Sequence, residues 1–394
     1  MKIITTTEDL SAFCARAHAA PYVTIDTEFL RERTYYAKLC LIQMALPGAD
    51  GAHSGEAVIV DPLADGKALS LAPLAELMRD ETTVKVFHAA RQDLEIFYFD
   101  LGVMPRPLFD TQVAAMVCGH GDQVGYETLV RKLARGQVDK ASRFTDWSRR
   151  PLSDAQQAYA LADVTHLRII YEKLAEQLEA TGRAAWVDEE LEILTDPETY
   201  VTRPEDAWKR IKTRSNAGRF LAIVRELARF RENHAQSRNV PRARVFKDDA
   251  LLELASLRPV TMEDLGRARL LLRDARRGDI AQGIVNAVAA GQALNPTEFP
   301  EAPPDRSALQ VNPALADLLR VLLKACCESG GVAQKLVASA ADLDAIAAGE
   351  RDLAALRGWR RAVFGAHALR LCSGELALGV QGQSVRLIDM PTPD

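Results

Sequence analysis

Four carboxylates and one tyrosine stand in patterns that could do chemistry. Asp26 and Glu28 lie two apart in Thr24-Ile25-Asp26-Thr27-Glu28-Phe29, at the end of an apolar run. Residues i and i+2 of a β-strand point to the same face, so this pair converges. Asp93 occurs in His88-Ala89-Ala90-Arg91-Gln92-Asp93-Leu94, just after a short apolar run and in the first turn of a helix. Tyr159 and Asp163 are four apart in Tyr159-Ala160-Leu161-Ala162-Asp163, which puts both on one face of a largely apolar helix. Each pattern also has an ordinary reading. A strand-end Asp/Glu pair can face solvent, an Asp in a first turn stabilises the helix dipole, and a Tyr/Asp pair can be a buried hydrogen bond. Gathered in one pocket, four carboxylates cannot all be ionised without cations. Two divalent metals would neutralise them. Oxygen donors with no Cys or His cluster favour Mg²⁺ or Mn²⁺ over zinc. Two such ions in one site suit in-line displacement at phosphorus.

The elements that must hold these groups are legible around them. Residues 22–26, 38–45 and 57–61 read as strands, and their short connections predict an antiparallel meander. Residues 84–87 form a short buried strand, with helices at 71–78 before it and 92–99 after it. Helical patterns continue near 111–118 and 126–134, and a long helix over about 154–179 takes Ser153 as its N-cap. Strands followed by strand–helix alternation predict an α/β domain, a mixed sheet flanked by helices. After Thr195 the breakers Asp196-Pro197 and Arg203-Pro204 lead into sequence of helical period. One helical block spans about 205–290. A proline-rich linker follows at 295–304, and another helical block runs from about 312 onward. The two blocks resemble each other faintly.

Together the three patterns resemble the exonuclease motifs of the DEDD superfamily, with Thr34-Tyr35-Tyr36 and Leu41-Ile42-Gln43 extending the first motif. The match is closest to bacterial ribonuclease D. The first helical block resembles the HRDC domain of that family, and the C-terminal block resembles a diverged copy of it. The resemblance implies a ribonuclease H-like fold over 1–200, an HRDC-like domain over 201–294 and a second, diverged one over 305–394. It implies that Asp26 bridges two metals, that Glu28 and Asp163 complete the first site, and that Asp93 holds the second. Tyr159 would orient the attacking water. The position five before the final Asp is Ala158, so the chain is similar to the tyrosine subtype rather than the histidine subtype. His166 then reads as a packing or surface residue, and so does His88, with lining the site as its alternative reading. The implied activity is 3′–5′ exoribonuclease action, releasing nucleoside 5′-monophosphates. The implied substrates are tRNA precursors with extra 3′ nucleotides and other small structured RNAs. A DNA 3′–5′ exonuclease and a non-catalytic nucleic-acid-binding protein of the same fold are the competing readings.

Composition limits the rest. The chain has 394 residues, 48% apolar and 26% charged, a globular balance that excludes disorder. The N-terminal residues lack a signal-peptide core, no apolar stretch is long enough to span a bilayer, and the six cysteines form no CxxC pair. These features predict a cytoplasmic protein with reduced thiols and no membrane partner. No phosphate-binding GxxxxGK[ST] loop occurs, so no nucleotide cofactor is expected. Net charge is −5, but Lys/Arg outnumber Asp/Glu by 12 to 4 between Arg203 and Arg244 and by 7 to 2 between Arg131 and Arg150. A single-stranded 3′ end needs a basic groove and stacking rings. Lys209, Arg210, Lys212 and Arg214 are the candidate phosphate contacts, and Phe29, Tyr35, Tyr36 and Phe97 the candidate stackers. A basic helix is equally at home as a solvated face.

Overall fold

Burial of the apolar strands sets the architecture of the first half. The computed structural model describes residues 2–64, 69–139, 145–301 and 310–391. Strands β1 (Lys2–Ile4), β2 (Tyr22–Leu30), β3 (Lys38–Ala45) and β4 (Ala57–Val60) are accompanied by helix α1 (Thr7–Ala17), which lies between β1 and β2. Helix α2 (Ala72–Arg79), β5 (Val84–Phe87), α3 (Arg91–Leu101), β6 (Leu108–Asp110) and α4 (Thr111–Val117) follow. The six strands make one mixed sheet in the order β1-β4-β3-β2-β5-β6. The predicted meander is there: β2 and β3, and β3 and β4, pair antiparallel. Strands β1 and β6 extend the sheet in parallel at its two edges. Each has only three residues, too few to display an alternation, and they owe their strand state to a neighbour. Helix α1 is an element beyond those predicted, although Leu10, Phe13, Cys14 and Ala17 form a buried helical stripe and Thr6 caps it by accepting from Asp9 N.

Helices α5 (Tyr126–Leu129), α6 (Asp154–Thr181) and α7 (Ala184–Thr195) complete this half. Helix α6 begins at Ser153 in a capping box with Gln156, as the Ser153 N-cap predicts. It packs against β2, β3 and β4. The Thr24 hydroxyl, buried in β2, donates to Val164 O at 2.8 Å and so pins α6 to the sheet next to Asp163.

Helices α8 (Gly218–Ser237), α9 (Arg242–Val245), α10 (Asp248–Leu257) and α11 (Gly278–Ala293) surround a core of their own that includes Trp208, Leu227, Leu251 and Ile284. A further core, with Leu319, Trp359 and Phe364, gathers around α12 (Pro313–Gly330). The C-terminal block is not helical throughout, contrary to the reading of residues 312 onward. Strands β7 (Leu376–Gln381) and β8 (Ser384–Asp389) form an antiparallel hairpin. Gly382, at φ 62°, supplies the left-handed turn residue that such a tight connection favours. Residues 302–304 of the linker and residues 140–144 of the first basic island lie outside the described residues.

The C-terminal core docks on the first half through specific groups. Trp186 and Trp359 stack with ring centres 4.6 Å apart, and Ala333 N donates to Met116 O at 2.9 Å. Among the described residues, no helix is long and apolar enough to cross a membrane.

Candidate active site

Strand β2 carries the first pair of carboxylates, both half-buried. Asp26 lies opposite Gln43 and Glu28 opposite Leu41 in the β2–β3 register, and a bulge follows directly between Glu28 and Phe29. Bulges re-aim side chains where strand pairing ends. On its other edge β2 pairs with β5 only over Tyr22–Thr24. Beyond Thr24 that edge is open, and the N-terminal turn of α3 brings Asp93 alongside. The Thr27 hydroxyl donates to Asp93 Oδ1 at 2.5 Å, which joins the first two motifs through a side chain between Asp26 and Glu28.

Asp163 reaches the same place from α6. One carboxylate oxygen each from Asp26, Glu28 and Asp163 lie within 4.8 Å of one another. Removal from bulk water and then the charge of Asp163 hold the Asp26 carboxyl well above the usual carboxylate range. Asp93 is raised for the same reasons, burial first and then the charge of Asp26. Carboxylates this close, two of them half-buried and two buried, need positive charge to stay ionised. Their all-oxygen donor set suits a hard divalent cation.

Tyr159, one turn before Asp163, faces the same cavity, which has a volume of about 260 Å³ and is also lined by Asp26, His88, Tyr126 and Asp163. Burial raises the Tyr159 phenol first; the charges of Asp163, Glu28 and Asp26 and a hydrogen bond to the Asp163 carboxylate raise it further. The ring packs against Trp147, with centres 6.1 Å apart.

Two supporting residues, Asp110 and Tyr126, escaped the sequence. Asp110 accepts from Ala89 N at 3.0 Å and Ala90 N at 2.8 Å, and also caps α4. It thereby fixes the turn before α3, where Ala89 adopts φ 56°. Its one legible signal was an Asp directly ahead of an apolar helix. The Tyr126 hydroxyl donates to Asp163 O at 2.6 Å and steadies α6. His88 lines the cavity, with Nδ1 3.0 Å from Thr111 Oγ1. Thr111 donates its own proton to Phe87 O, so His88 Nδ1 is the donor in that contact. Burial lowers the His88 pKa, against an opposing effect of Asp110, and keeps the ring neutral. His166 packs beside Gly136 and Gln137, in keeping with a packing role.

The candidate RNA contacts fare unevenly. Phe97 is fully buried and cannot stack on a base. Phe29 packs against the core of the sheet. Tyr35 is committed to the helical block: its hydroxyl donates to Glu232 and accepts from Arg242 Nη2 at 2.7 Å, and its ring lies under the Arg242 guanidinium. Tyr36 meets the ring of Phe99. Lys209 pairs with Asp206, while Arg210, Lys212 and Arg214 lie in and after a short 3₁₀ segment rather than on a long helix. In the other basic island Arg150 is structural, ion-paired to Asp61 at 2.6 Å and bonded to Cys40 O.

Comparison with known proteins agrees with this geometry. A 3′–5′ exonuclease family model matches residues 1–179, and an HRDC domain model matches residues 220–287. The chain is 62% identical to the ribonuclease D of Jannaschia sp. over 387 residues, covering 98% of this chain and 99% of that one. The chain belongs to the ribonuclease D family. The ribonuclease D of Granulibacter bethesdensis is 50% identical over 388 residues, covering 98% of this chain and 96% of that one. The crystal structure of Escherichia coli RNase D, an exoribonuclease involved in structured RNA processing, superposes with a TM-score of 0.80 at 27% identity. That alignment covers 95% of this chain and 98% of that one. A ribonuclease D is a 3′–5′ exoribonuclease, a hydrolase of phosphodiester bonds, and the chain has that activity and the mixed α/β exonuclease fold with an HRDC domain. Its family uses divalent metals, and its substrate is RNA.

Proposed function

We propose that this ribonuclease D trims extra 3′ nucleotides from tRNA precursors and other small structured RNAs, one nucleoside 5′-monophosphate at a time. The observation that carries the reading is the convergence of three carboxylate oxygens within 4.8 Å, from a strand and a helix, at a cavity that also holds Tyr159. Asp26, Glu28 and Asp163 would hold one divalent ion, and Asp26 with Asp93 a second, Mg²⁺ or Mn²⁺ by the hardness of the donors. When bound, such ions acidify water and neutralise charge building at phosphorus.

The chain's own groups do the positioning. The Tyr159 phenol, raised above its usual value by burial and by three carboxylates, keeps its proton at neutral pH and works as a hydrogen-bonding guide for the attacking water rather than as its base. Thr27 holds Asp93, and Thr24 and Tyr126 hold the Asp163 turn. The cavity is small, which favours a frayed single-stranded end over a duplex.

We read the chain as an exonuclease domain over 1–200, an HRDC-like domain over 201–294 and a second, diverged HRDC-like domain over 305–394. Separate apolar cores in the three regions support this division. Six free cysteines fit a reducing cytoplasm.

The test uses 5′-labelled RNA and DNA of one sequence, with Mg²⁺, with Mn²⁺ or with chelator, and a tRNA precursor carrying extra 3′ nucleotides. The expected result is stepwise shortening of RNA from its 3′ end, dependent on metal, with the precursor trimmed. Internal cuts, chelator-resistant cleavage or a clear preference for DNA would overturn the reading.

A further inference from the structure

A second cavity, of about 390 Å³, opens between the loop after β2, helix α3 and the helical block. It lies on the elements that carry the catalytic carboxylates. Arg91 stands two residues before Asp93 on α3, and Arg31 lies just past the end of β2, three residues after Glu28. Four arginines line the cavity, Arg31, Arg91, Arg210 and Arg242, against one carboxylate, Glu95.

Two of these cations are already matched. Arg31 Nη2 lies 2.6 Å from Glu95 Oε2, and Arg242 is ion-paired to Glu232 behind the wall. Arg91 and Arg210 have no carboxylate partner among the described residues. Arg91 lies over the ring of Tyr200, 5.9 Å from its centre, and makes a long contact of 3.5 Å to Thr199 O. A cation–π contact of this kind leaves the guanidinium N–H groups open to another acceptor. The cavity wall thus carries two uncompensated positive charges. Two further polar atoms on its lining residues, Arg31 Nε and Thr34 Oγ1, are buried without a hydrogen-bond partner. Native proteins rarely leave such groups unsatisfied. The rest of the lining includes the aromatic faces of Tyr36 and Phe99, 4.6 Å apart, and Phe99 is exposed. Paired guanidinium groups beside aromatic rings match a phosphate with its attached nucleoside.

We propose that this cleft is a phosphate-binding subsite, with Arg91 and Arg210 as its ligands. The phosphate is either a diester of the RNA strand upstream of the bond being cut or the ester of a free nucleotide. The strand source rests on the exoribonuclease reading; the nucleotide source does not. Either way, the subsite sets positive charge beside a carboxylate cluster that must admit a polyanion.

The full-length protein is titrated, without divalent metal, with inorganic phosphate, with a nucleoside 5′-monophosphate and with a labelled single-stranded oligoribonucleotide. Arg91→Gln and Arg210→Gln should each weaken binding by about tenfold to a hundredfold, the loss of a charge-assisted contact. Each should also reduce the log–log salt slope for the oligonucleotide by about 0.7. Arg91→Lys, which keeps the charge, should retain the slope. Both substituted residues are exposed, and unchanged thermal unfolding of the variants checks that they fold. Weakening of the oligonucleotide alone assigns the phosphate to the RNA strand, and weakening of the free ligands alone assigns it to a nucleotide. Unchanged affinity for all three probes, or no binding of any by the unaltered protein, would overturn the proposal. Hydrolysis of the same oligonucleotide with Mg²⁺ is measured separately. Absent hydrolysis with intact, arginine-dependent binding would sink the nuclease reading and leave the subsite standing.

Discussion

Replacing Glu232 by Gln should loosen the junction between the exonuclease sheet and the helical block. Glu232 is 1% exposed and sits at the centre of a polar network across that junction. It accepts from Arg242 Nε at 2.5 Å, from Arg242 Nη2 at 2.7 Å, from Gln236 Nε2 at 3.1 Å and from the Tyr35 hydroxyl. Gln keeps the shape and removes the charge. Breaking a fully buried ion pair costs about 3–5 kcal/mol because the surviving charge is stranded. The Arg242 side chain is 37% exposed, so water relieves part of that cost, and roughly 2–3 kcal/mol remains. Tyr35→Phe removes a hydroxyl that donates to Glu232 and accepts from Arg242 Nη2 and Gln236 Nε2, and should cost about 1–3 kcal/mol. Urea unfolding followed by tryptophan fluorescence reads both, since Trp208 is buried in the core beside α8. Burial acts to raise the Glu232 pKa, but the hydrogen bonds from Arg242 and Tyr35 outweigh it and the net shift is downward. A lowered carboxylate stabilises the fold above its unfolded value, near 4.3, and that contribution is lost as pH falls through the folded value. The gap between the unaltered protein and Glu232→Gln should therefore close on acidification. A cost below about 0.5 kcal/mol at neutral pH, the range of ordinary surface changes, would refute this account of the junction.

Other perturbations test the site and the basic segment. Without metal, Asp26→Asn should raise the melting temperature by a few degrees, because it removes a crowded, desolvated charge. Added Mg²⁺ or Mn²⁺ should then stabilise the unaltered protein and not the variant, and the reverse pattern in a thermal scan would contradict the carboxylate assignment. Tyr159→Phe should slow single-turnover hydrolysis while sparing metal affinity, and an unchanged rate would reduce Tyr159 to a packing role. Replacing Lys209, Arg210, Lys212 and Arg214 together by Gln should flatten the salt dependence of RNA binding by about 0.7 per lost phosphate contact, and an identical slope would show that these side chains only solvate the surface.

Local patterns revealed what local forces make. The strand read at 22–26 forms and runs on through Glu28 to Leu30, and the capped helix that carries Tyr159 and Asp163 forms where helical spacing puts it. Groups whose roles depend on distant partners stayed hidden. Tyr35 has the local signature of a stacker because Glu232 and Arg242 lie 197 and 207 residues further on, and no local signal pairs them. Thr27 stands in plain view within the first motif, but its bond to Asp93 depends on how α3 meets the open edge of β2. The hairpin of β7 and β8 is hard to read because its short alternating run follows a long helical stretch, and the helical period carries past its true end. Strands β1 and β6 show the same limit from the other side, since three residues become a strand only by pairing.

The most direct test of the central claim, that Asp26, Glu28, Asp93 and Asp163 form one hydrolytic centre, is a single-turnover assay on 3′-labelled RNA with Mg²⁺. The unaltered protein, Asp26→Asn and Asp163→Asn are compared at equal folded concentration, and products are resolved by chromatography. The account predicts nucleoside 5′-monophosphate as the first labelled product of the unaltered protein and no release above background from either variant. Release at the unaltered rate by either variant, or a first product bearing a 3′-phosphate, would contradict it.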